Sequence, residues 1–216
     1  MNDYSLSSLR LDVFTERLSS SAPFPGGGGT AALAGALAAS LASMAVNLSL
    51  GKKKYLCYQE DHRKMLSETE ALRLRFLALM GEDAAAFEPL SRLYAEDPNT
   101  PGHTEALRTA TLNACQAPLR MMACCSELIS LLETLPEKCS PLLLSDVGCA
   151  ALNAGAALKA AAMNVYVNTR LLPGDAEAEG LATQADALLS RDFLRAQAVA
   201  DSVMTYLKTP KKIVDI

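Results

Sequence analysis

Residues 30–50 read TAALAGALAASLASMAVNLSL, and this stretch decides the fold class. It consists almost entirely of small and aliphatic residues and carries no charge. In the whole chain of 216 residues, alanine and leucine each occur 36 times, whereas valine and isoleucine together number only 11. Alanine and leucine are strong helix formers, and sheets favour the β-branched residues that are scarce here. The composition therefore predicts an all-α protein.

Small residues recur at every fourth position of the same stretch, at Ala31, Gly35, Ala39 and Ser43. This spacing places them on one side of a helix, where a neighbouring backbone can approach closely. The stretch is long enough to span a bilayer, but alanine, glycine and serine contribute little transfer free energy. We therefore expect a buried central helix in a soluble, cytoplasmic protein and no membrane partner.

Hydrophobic periodicity and the intervening breaks predict a single helical bundle of six or seven helices. The expected helices cover residues 6–18, 30–48, 54–80, 83–94, 104–132, 146–172 and 175–208. Gly81 is interpreted as a C-terminal stop, and Pro118 is expected to kink or divide the fifth helix. Pro136 and Pro141 are expected to bound a loop. No linker resembles a domain boundary, so residues 1–216 are predicted to form one domain.

The charge and the chemistry-bearing residues exclude several classes of protein. A net charge of -4 argues against a nucleic-acid partner that is bound through a basic face. None of the six cysteines forms a C-x-x-C motif, and the two histidines, His62 and His103, do not lie in H-E-x-x-H. Neither a metal site nor a Ser/His/Asp triad is predicted.

The most unusual segment is the run Gly26, Gly27, Gly28 and Gly29, which follows Pro25 and directly precedes the Ala-rich helix. Glycines bring bare N–H groups close to a ligand, and a helix N-terminus suits a carboxylate, a phosphate or a polarised carbonyl. The alternatives are a flexible turn or packing room for a crossing helix. The residues alone leave these interpretations open.

Asp83 lies two residues after Gly81 and admits two interpretations. It is either an acidic residue that caps or complements the N-terminus of the next helix, or a general acid/base in apolar surroundings. In the second case, the neighbouring alanines and Phe87 would raise its pKa toward neutrality.

Four polar residues of the sixth predicted helix are further candidates. Ser145 is a good N-cap with Asp146 beside it, and Asn164 and Asn168 are four residues apart and share a face. Asparagines among apolar residues are expected to hydrogen-bond a ligand, a backbone group or a neighbouring helix. Asp146 lies about 27 Å from Asn164 along a continuous helix, so one small ligand cannot touch both in one chain. An antiparallel twofold partner would bring them together at a dimer interface.

A local cationic patch contains Lys52, Lys53 and Lys54 together with Arg63 and Lys64. A solvated surface is the default interpretation, and attraction of a polyanionic ligand is the alternative.

Together these segments resemble the cyclodeaminase/cyclohydrolase family, which includes the cyclodeaminase domain of formiminotransferase-cyclodeaminase and the methenyltetrahydrofolate cyclohydrolases. The likeness covers nearly the whole chain, and its motifs stand in the family's order. They are Phe14 in the first helix, PFPGGG at 23–28, GKKKY at 51–55, DAAAF at 83–87, APL at 117–119, Ser145 with Asp146, and NVYVN at 164–168.

The resemblance implies an all-α homodimer that acts on one-carbon-substituted tetrahydrofolate without a cofactor. It assigns acid/base catalysis to Asp83, and it assigns substrate binding to the glycine turn, Ser145, Asp146, Asn164 and Asn168. Charge alone motivates adding Lys52 and Lys53 as a site for the glutamate tail. The chain departs from the family where many members carry Leu-Pro-Lys, because residues 95–98 read AEDP here.

Three functions remain open at this point. The leading hypothesis is a methenyltetrahydrofolate cyclohydrolase, since no formiminotransferase portion accompanies the domain. The second is a stand-alone formiminotetrahydrofolate cyclodeaminase that releases ammonia. The third is a helical protein that binds folate or a partner without turnover.

Overall fold

A computed structural model describes residues 5–210 of the chain. Seven α-helices account for most of this range, and no strand occurs within it. The helices are α1 (Leu11–Leu18), α2 (Gly27–Asn47), α3 (Gln59–Leu93), α4 (His103–Ala114), α5 (Gln116–Lys138), α6 (Leu144–Thr169) and α7 (Ala176–Lys208). Short 3₁₀ turns cover Leu6–Ser8, Lys53–Tyr58 and Pro141–Leu143. The predicted all-α bundle is confirmed.

Helices α2 and α6 form the centre of the bundle. They pack on each other, α3 flanks α2, α7 flanks α6, and α5 packs across all four. The first turn of α2 lies beside Asn164 near the end of α6. At the other end of the bundle, the backbone N–H of Ser140 donates a hydrogen bond to the Ser49 hydroxyl. The two central helices are therefore antiparallel.

The small-residue stripe on α2 lets α3 approach closely, as the spacing predicted. A Cβ at Gly35 would overlap the ring of Phe76, which is fully buried. One turn beyond Ala39, the Ser43 hydroxyl donates to Thr69 Oγ1 at 2.7 Å. Because the stripe carries no bulky side chain, the two helices interlock through side chains supplied by α3.

Gly81 does not end a helix, so that prediction is wrong. Helix α3 continues through Gly81 to Leu93 and joins the two segments expected at 54–80 and 83–94. A C-terminal glycine stop uses a positive φ, which the described glycines adopt at Gly51, Gly102 and Gly174. Burial on both sides of Gly81 outweighs the cost of about 1 kcal/mol for a glycine inside a helix.

Pro118 and Pro141 lie at helix breaks, as predicted, whereas Pro136 does not. The long helix expected at 104–132 is divided at Cys115, and Pro118 lies in the first turn of α5, where its missing N–H costs little. Pro136 does not begin a loop, because α5 continues to Lys138. Pro141 opens the 3₁₀ turn that leads into α6.

Two segments, Gly27–Asn47 and Pro141–Thr169, are long and apolar enough to cross a membrane by length and composition. In each of them, 56% of the most apolar window is buried inside the protein. Both belong to the central pair, whose apolar residues pack against the flanking helices. This burial is typical of core helices, as was expected for α2.

Candidate active site

The glycine run forms the first turn of α2 rather than a flexible turn. The helix begins at Gly27, and the backbone N–H of Thr30 donates to the Gly26 carbonyl at 3.0 Å. No side chain caps this end of the helix. The N–H groups that precede Thr30 therefore lack intrahelical acceptors and are available to a ligand.

The absence of a Cβ at Gly28 leaves room for the side chain of Asp83. A Cβ at Gly28 would overlap both carboxylate oxygens of Asp83, and a Cβ at Gly27 would lie 3.3 Å from the Asn164 amide. The glycines thus allow polar side chains from α3 and α6 to meet the N-terminus of α2. Of the alternatives left open by the sequence, the flexible turn is wrong and close packing with a crossing helix is confirmed, while binding of a ligand stays a prediction.

Asp83 lies inside α3, so the interpretation of this residue as a helix cap is wrong. The side chain is largely buried, and within residues 5–210 it makes no hydrogen bond or ion pair. Burial raises the pKa of Asp83 to about 6. Its neighbour Glu82 points elsewhere and forms ion pairs with Arg120 at 2.9 Å and with Arg75 at 3.7 Å. Asp83 alone therefore keeps an unpaired carboxyl group of near-neutral pKa.

The two asparagines of α6 share a face of the helix, as predicted, and reach the same place. Asn164 donates from Nδ2 to the Ala160 carbonyl at 2.8 Å. Asn168 is buried, with 7% exposure, and lies near the Cys115 thiol at the α4–α5 break. The bond to Ala160 orients the Asn164 amide, and both asparagines line the same cleft as the glycine turn.

These groups surround one cleft of about 120 Å³. Its lining consists of Pro23, Phe24, Gly26, Gly27, Gly28, Asp83, Phe87, Ala114, Pro118, Asn164, Val167 and Asn168. Asp83 is the single ionisable group in this set. Sequence reasoning had not assigned the apolar walls to the site, although Phe24, Phe87 and Pro118 belong to the motifs quoted above.

Four sequence-predicted site residues lie at the opposite end of the bundle. Lys52 and Lys53 follow the C-terminus of α2, a 21-residue helix whose length is about 30 Å. Both are exposed. Ser145 and Asp146 lie in the first turn of α6, about 27 Å along the helix from Asn164. Ser145 is not an N-cap, because α6 begins at Leu144 directly after a 3₁₀ turn. One chain does not bring these residues to the cleft.

A larger groove of about 650 Å³ runs between α3 and α5. It is lined by Glu68, Ala71, Leu72, Arg75, Cys124, Glu127, Ser130 and Leu131. The groove has the larger volume, but the smaller cleft is the better candidate for an active site. An unpaired carboxyl group meets a free helix N-terminus there. Within residues 5–210, no group of three or more His, Cys, Asp or Glu side chains is placed to hold a metal ion.

Comparison with known proteins decides the family. Residues 10–187 match the family described as formiminotransferase-cyclodeaminase. The chain belongs to the formiminotransferase-cyclodeaminase family. Since the match covers most of the chain, it includes both the glycine turn and Asp83.

Two relatives from this family differ in their described activity. The chain is 39% identical over 198 residues to a methenyltetrahydrofolate cyclohydrolase from Methylorubrum extorquens, covering 85% of this chain and 93% of that protein. It is 26% identical over 205 residues to the rat formimidoyltransferase-cyclodeaminase, covering 93% of this chain but 38% of that longer protein.

A solved structure has the same fold. It is the crystal structure of formiminotetrahydrofolate cyclodeaminase from Thermotoga maritima, with a TM-score of 0.80 and 23% sequence identity. The likeness covers 92% of this chain and 99% of that one.

Proposed function

We propose that this protein is a methenyltetrahydrofolate cyclohydrolase, which opens the 5,10-methenyl bridge with water. The observation that carries the proposal is the placement of Asp83, whose carboxyl group of near-neutral pKa faces the N-terminal turn of α2 in a cleft. The relative from Methylorubrum extorquens that bears this name supports the choice of substrate.

The reaction needs a group that moves protons while a tetrahedral carbon forms and collapses. Water attacks the bridging carbon of the cationic substrate, a C–O bond forms, and Asp83 accepts a proton from the water. One C–N bond then breaks as the oxygen loses its second proton to solvent and becomes a formyl carbonyl. The protonated Asp83 returns its proton to the departing nitrogen. A pKa of about 6 suits both transfers near neutral pH.

The rest of the cleft binds and orients the substrate. The free N–H groups at Gly26, Gly27 and Gly28 are suited to a carbonyl or anionic oxygen, and the amides of Asn164 and Asn168 are suited to a heterocycle with donors and acceptors. Phe24 and Phe87 supply apolar walls against which a planar ring can pack. This chemistry requires neither a metal nor a redox cofactor.

A second candidate is formiminotetrahydrofolate cyclodeamination, which the rat relative's description favours. The same carboxyl group would protonate ammonia as it leaves a tetrahedral carbon, so the position of Asp83 serves either reaction.

Ultraviolet assays of the purified protein separate these functions. A cyclohydrolase removes the chromophore of methenyltetrahydrofolate, whereas a cyclodeaminase creates it from formiminotetrahydrofolate and releases ammonia. We expect removal, with a loss of roughly 100-fold or more in Asp83→Asn. Binding of folate without either change would support the non-catalytic alternative and contradict the proposal.

We also propose that the protein is a homodimer built on the central helices. Because α5 packs behind α2 and α6, the opposite faces of this pair are left without a cover. Large apolar side chains are exposed there: Leu37, Met44 and Leu48 from α2, and Leu152, Met163 and Val167 from α6. Large apolar side chains left exposed in this way are typical of protein–protein contacts.

A twofold axis perpendicular to the central helices gives the dimer a functional consequence. It would place the far end of one copy, with Lys52, Lys53, Ser145 and Asp146, against the cleft of the other. The cleft of about 120 Å³ is smaller than the roughly 300–1,000 Å³ of most ligand sites, so a second copy would also enlarge it.

We propose in addition that residues 1–216 form one domain of a cytoplasmic enzyme.

A further inference from the structure

Among residues 5–210, no cationic side chain lines the cleft, although a folate carries a glutamyl tail with two carboxylates. Asp83 is the single ionisable residue in the lining, and it cannot attract an anion. The cleft is also too small for the whole substrate. The tail must therefore extend past the rim, where a cation at the cleft mouth can bind it.

Arg17 is the cation whose contact with a lining residue is visible. It lies in the last turn of α1, and its guanidinium carbon is 5.3 Å from the centroid of the Phe24 ring. Phe24 itself is buried, with 8% exposure, and forms part of the cleft wall. The guanidinium group therefore lies directly against a ring that forms part of the cleft wall.

Two other arginines of the neighbouring helices already have acidic partners. Arg120 follows Pro118 by two residues, but Glu82 already neutralises it at 2.9 Å. Arg108 is held by Asp175 and Glu177. Arg17 and Arg170, in contrast, have no acidic side chain within ion-pair distance among residues 5–210. Of these two, Arg17 is the one whose guanidinium group lies over a ring of the cleft wall.

We propose that Arg17 binds a tail carboxylate of the substrate at the mouth of the cleft, where the guanidinium group rests on Phe24. A guanidinium group matches a carboxylate in a bidentate geometry, and stacking on a ring holds it in place beforehand. The inference rests on the proposed folate substrate. It assigns the tail to the first helix of the same chain rather than to Lys52 and Lys53, which only the second copy of the proposed dimer would bring to the cleft.

The test compares a substrate carrying its free glutamyl tail with the same substrate whose two tail carboxylates are converted to neutral amides. We expect Arg17→Ala to raise KM for the free-tail substrate about 10-fold with little change in kcat. For the diamide, the wild-type protein and the variant should have equal KM values. Arg10→Ala is the matched control, because Arg10 is an exposed arginine near α1 whose partner is Asp12.

Arg17→Met separates binding from a structural effect on Phe24, since methionine still covers the ring but has no charge. The proposal expects Met and Ala to raise KM alike. A wild-type KM in Arg17→Met would overturn the proposal. An equal increase in KM for the free-tail substrate and the diamide would overturn it as well. So would a KM increase found in the Lys52→Ala/Lys53→Ala double variant and absent from Arg17→Ala.

Equilibrium titration with tetrahydrofolate and its diamide keeps this inference separate from the proposed reaction. Tail-dependent binding that disappears in Arg17→Ala supports the role of Arg17 even if the methenyl substrate is not turned over. Tail-independent binding in a protein that hydrolyses the substrate overturns the role of Arg17 alone.

Discussion

The carboxylate of Asp83 occupies the space that a side chain at Gly28 would fill. This relationship joins the middle of α3 to the first turn of α2, and it explains why a glycine is needed inside that helical turn. The glycine there does not serve a positive φ, because the described glycines with positive φ lie elsewhere. It leaves room for a functional group.

Substitution of Gly28 by alanine tests this relationship. The new Cβ would overlap both oxygens of Asp83, so the carboxyl group must turn away from the cleft. We expect kcat to fall roughly 100-fold, since a displacement of about 1 Å can have that effect. Circular dichroism should show an intact helical fold. Gly180→Ala is the control, because nothing lies within 4 Å of a Cβ at that exposed position. Wild-type kcat in Gly28→Ala would contradict the model of the site.

The pKa of Asp83 predicts a stability effect that depends on pH. Its value is about 6 in the folded state and 3.8 as the reference for the unfolded chain, so unfolding releases a proton between these values. The free energy of unfolding therefore decreases as pH rises from about 4 to 6. Asp83→Asn removes this loss of stability and should stabilise the protein by roughly 3 kcal/mol at pH 8, with little gain at pH 3.5. Urea denaturation at both pH values measures the difference, and equal gains at the two would refute the assignment.

The same pKa predicts the pH profile of catalysis. Asp83 must be ionised to accept a proton from water, so kcat/KM should rise with pH and level off above about 6. Initial rates of chromophore loss between pH 5 and 8 would show this limb. The residual activity of Asp83→Asn should not rise with pH in this range. A rise that persists in that variant would show that another group titrates.

The contact between Gly35 and Phe76 predicts a structural effect without a direct catalytic one. Gly35→Ala would place a methyl group into the buried ring, and overpacking of this kind costs about 1–3 kcal/mol. Chemical denaturation should report this loss, and kcat should stay near the wild-type value. Combining the change with Phe76→Leu should cost less than the sum of the two single changes. Strict additivity would show that the ring is not the obstacle.

Shared sites in a dimer predict complementation between inactive subunits. If Asp146 of one copy meets Asn164 of the other, mixed Asp146→Ala and Asn164→Ala dimers contain one intact site. Random exchange should then restore about a quarter of wild-type activity. A mixture of Asn164→Ala and Asn168→Ala should stay inactive, because both residues belong to the same chain's cleft. Demonstrated subunit exchange without recovery in the first mixture would exclude shared sites.

The sequence correctly predicted the helical fold and the central position of residues 30–50. It also correctly predicted that Asn164 and Asn168 share a face of their helix. These features depend on composition and on a repeat of 3.6 residues, which are local properties of the chain. The stop at Gly81 and the N-cap at Ser145 were wrong because tertiary packing overrode the local signals. Burial around Gly81 extended α3 through that residue, and the 3₁₀ turn before Leu144 drew Ser145 into α6.

The sequence by itself determined the helical class, the candidate residues and the resemblance to a folate-processing family. Only the tertiary structure divided the candidates into two sets, with Asp83, the glycine turn and the asparagines at one end of the bundle and the lysines with Asp146 at the other. Distances along a chain do not give distances between helices, because these depend on which side chains interlock. The overlap of Gly28 with Asp83 arises where α2 and α3 cross, and no spacing within either helix contains it.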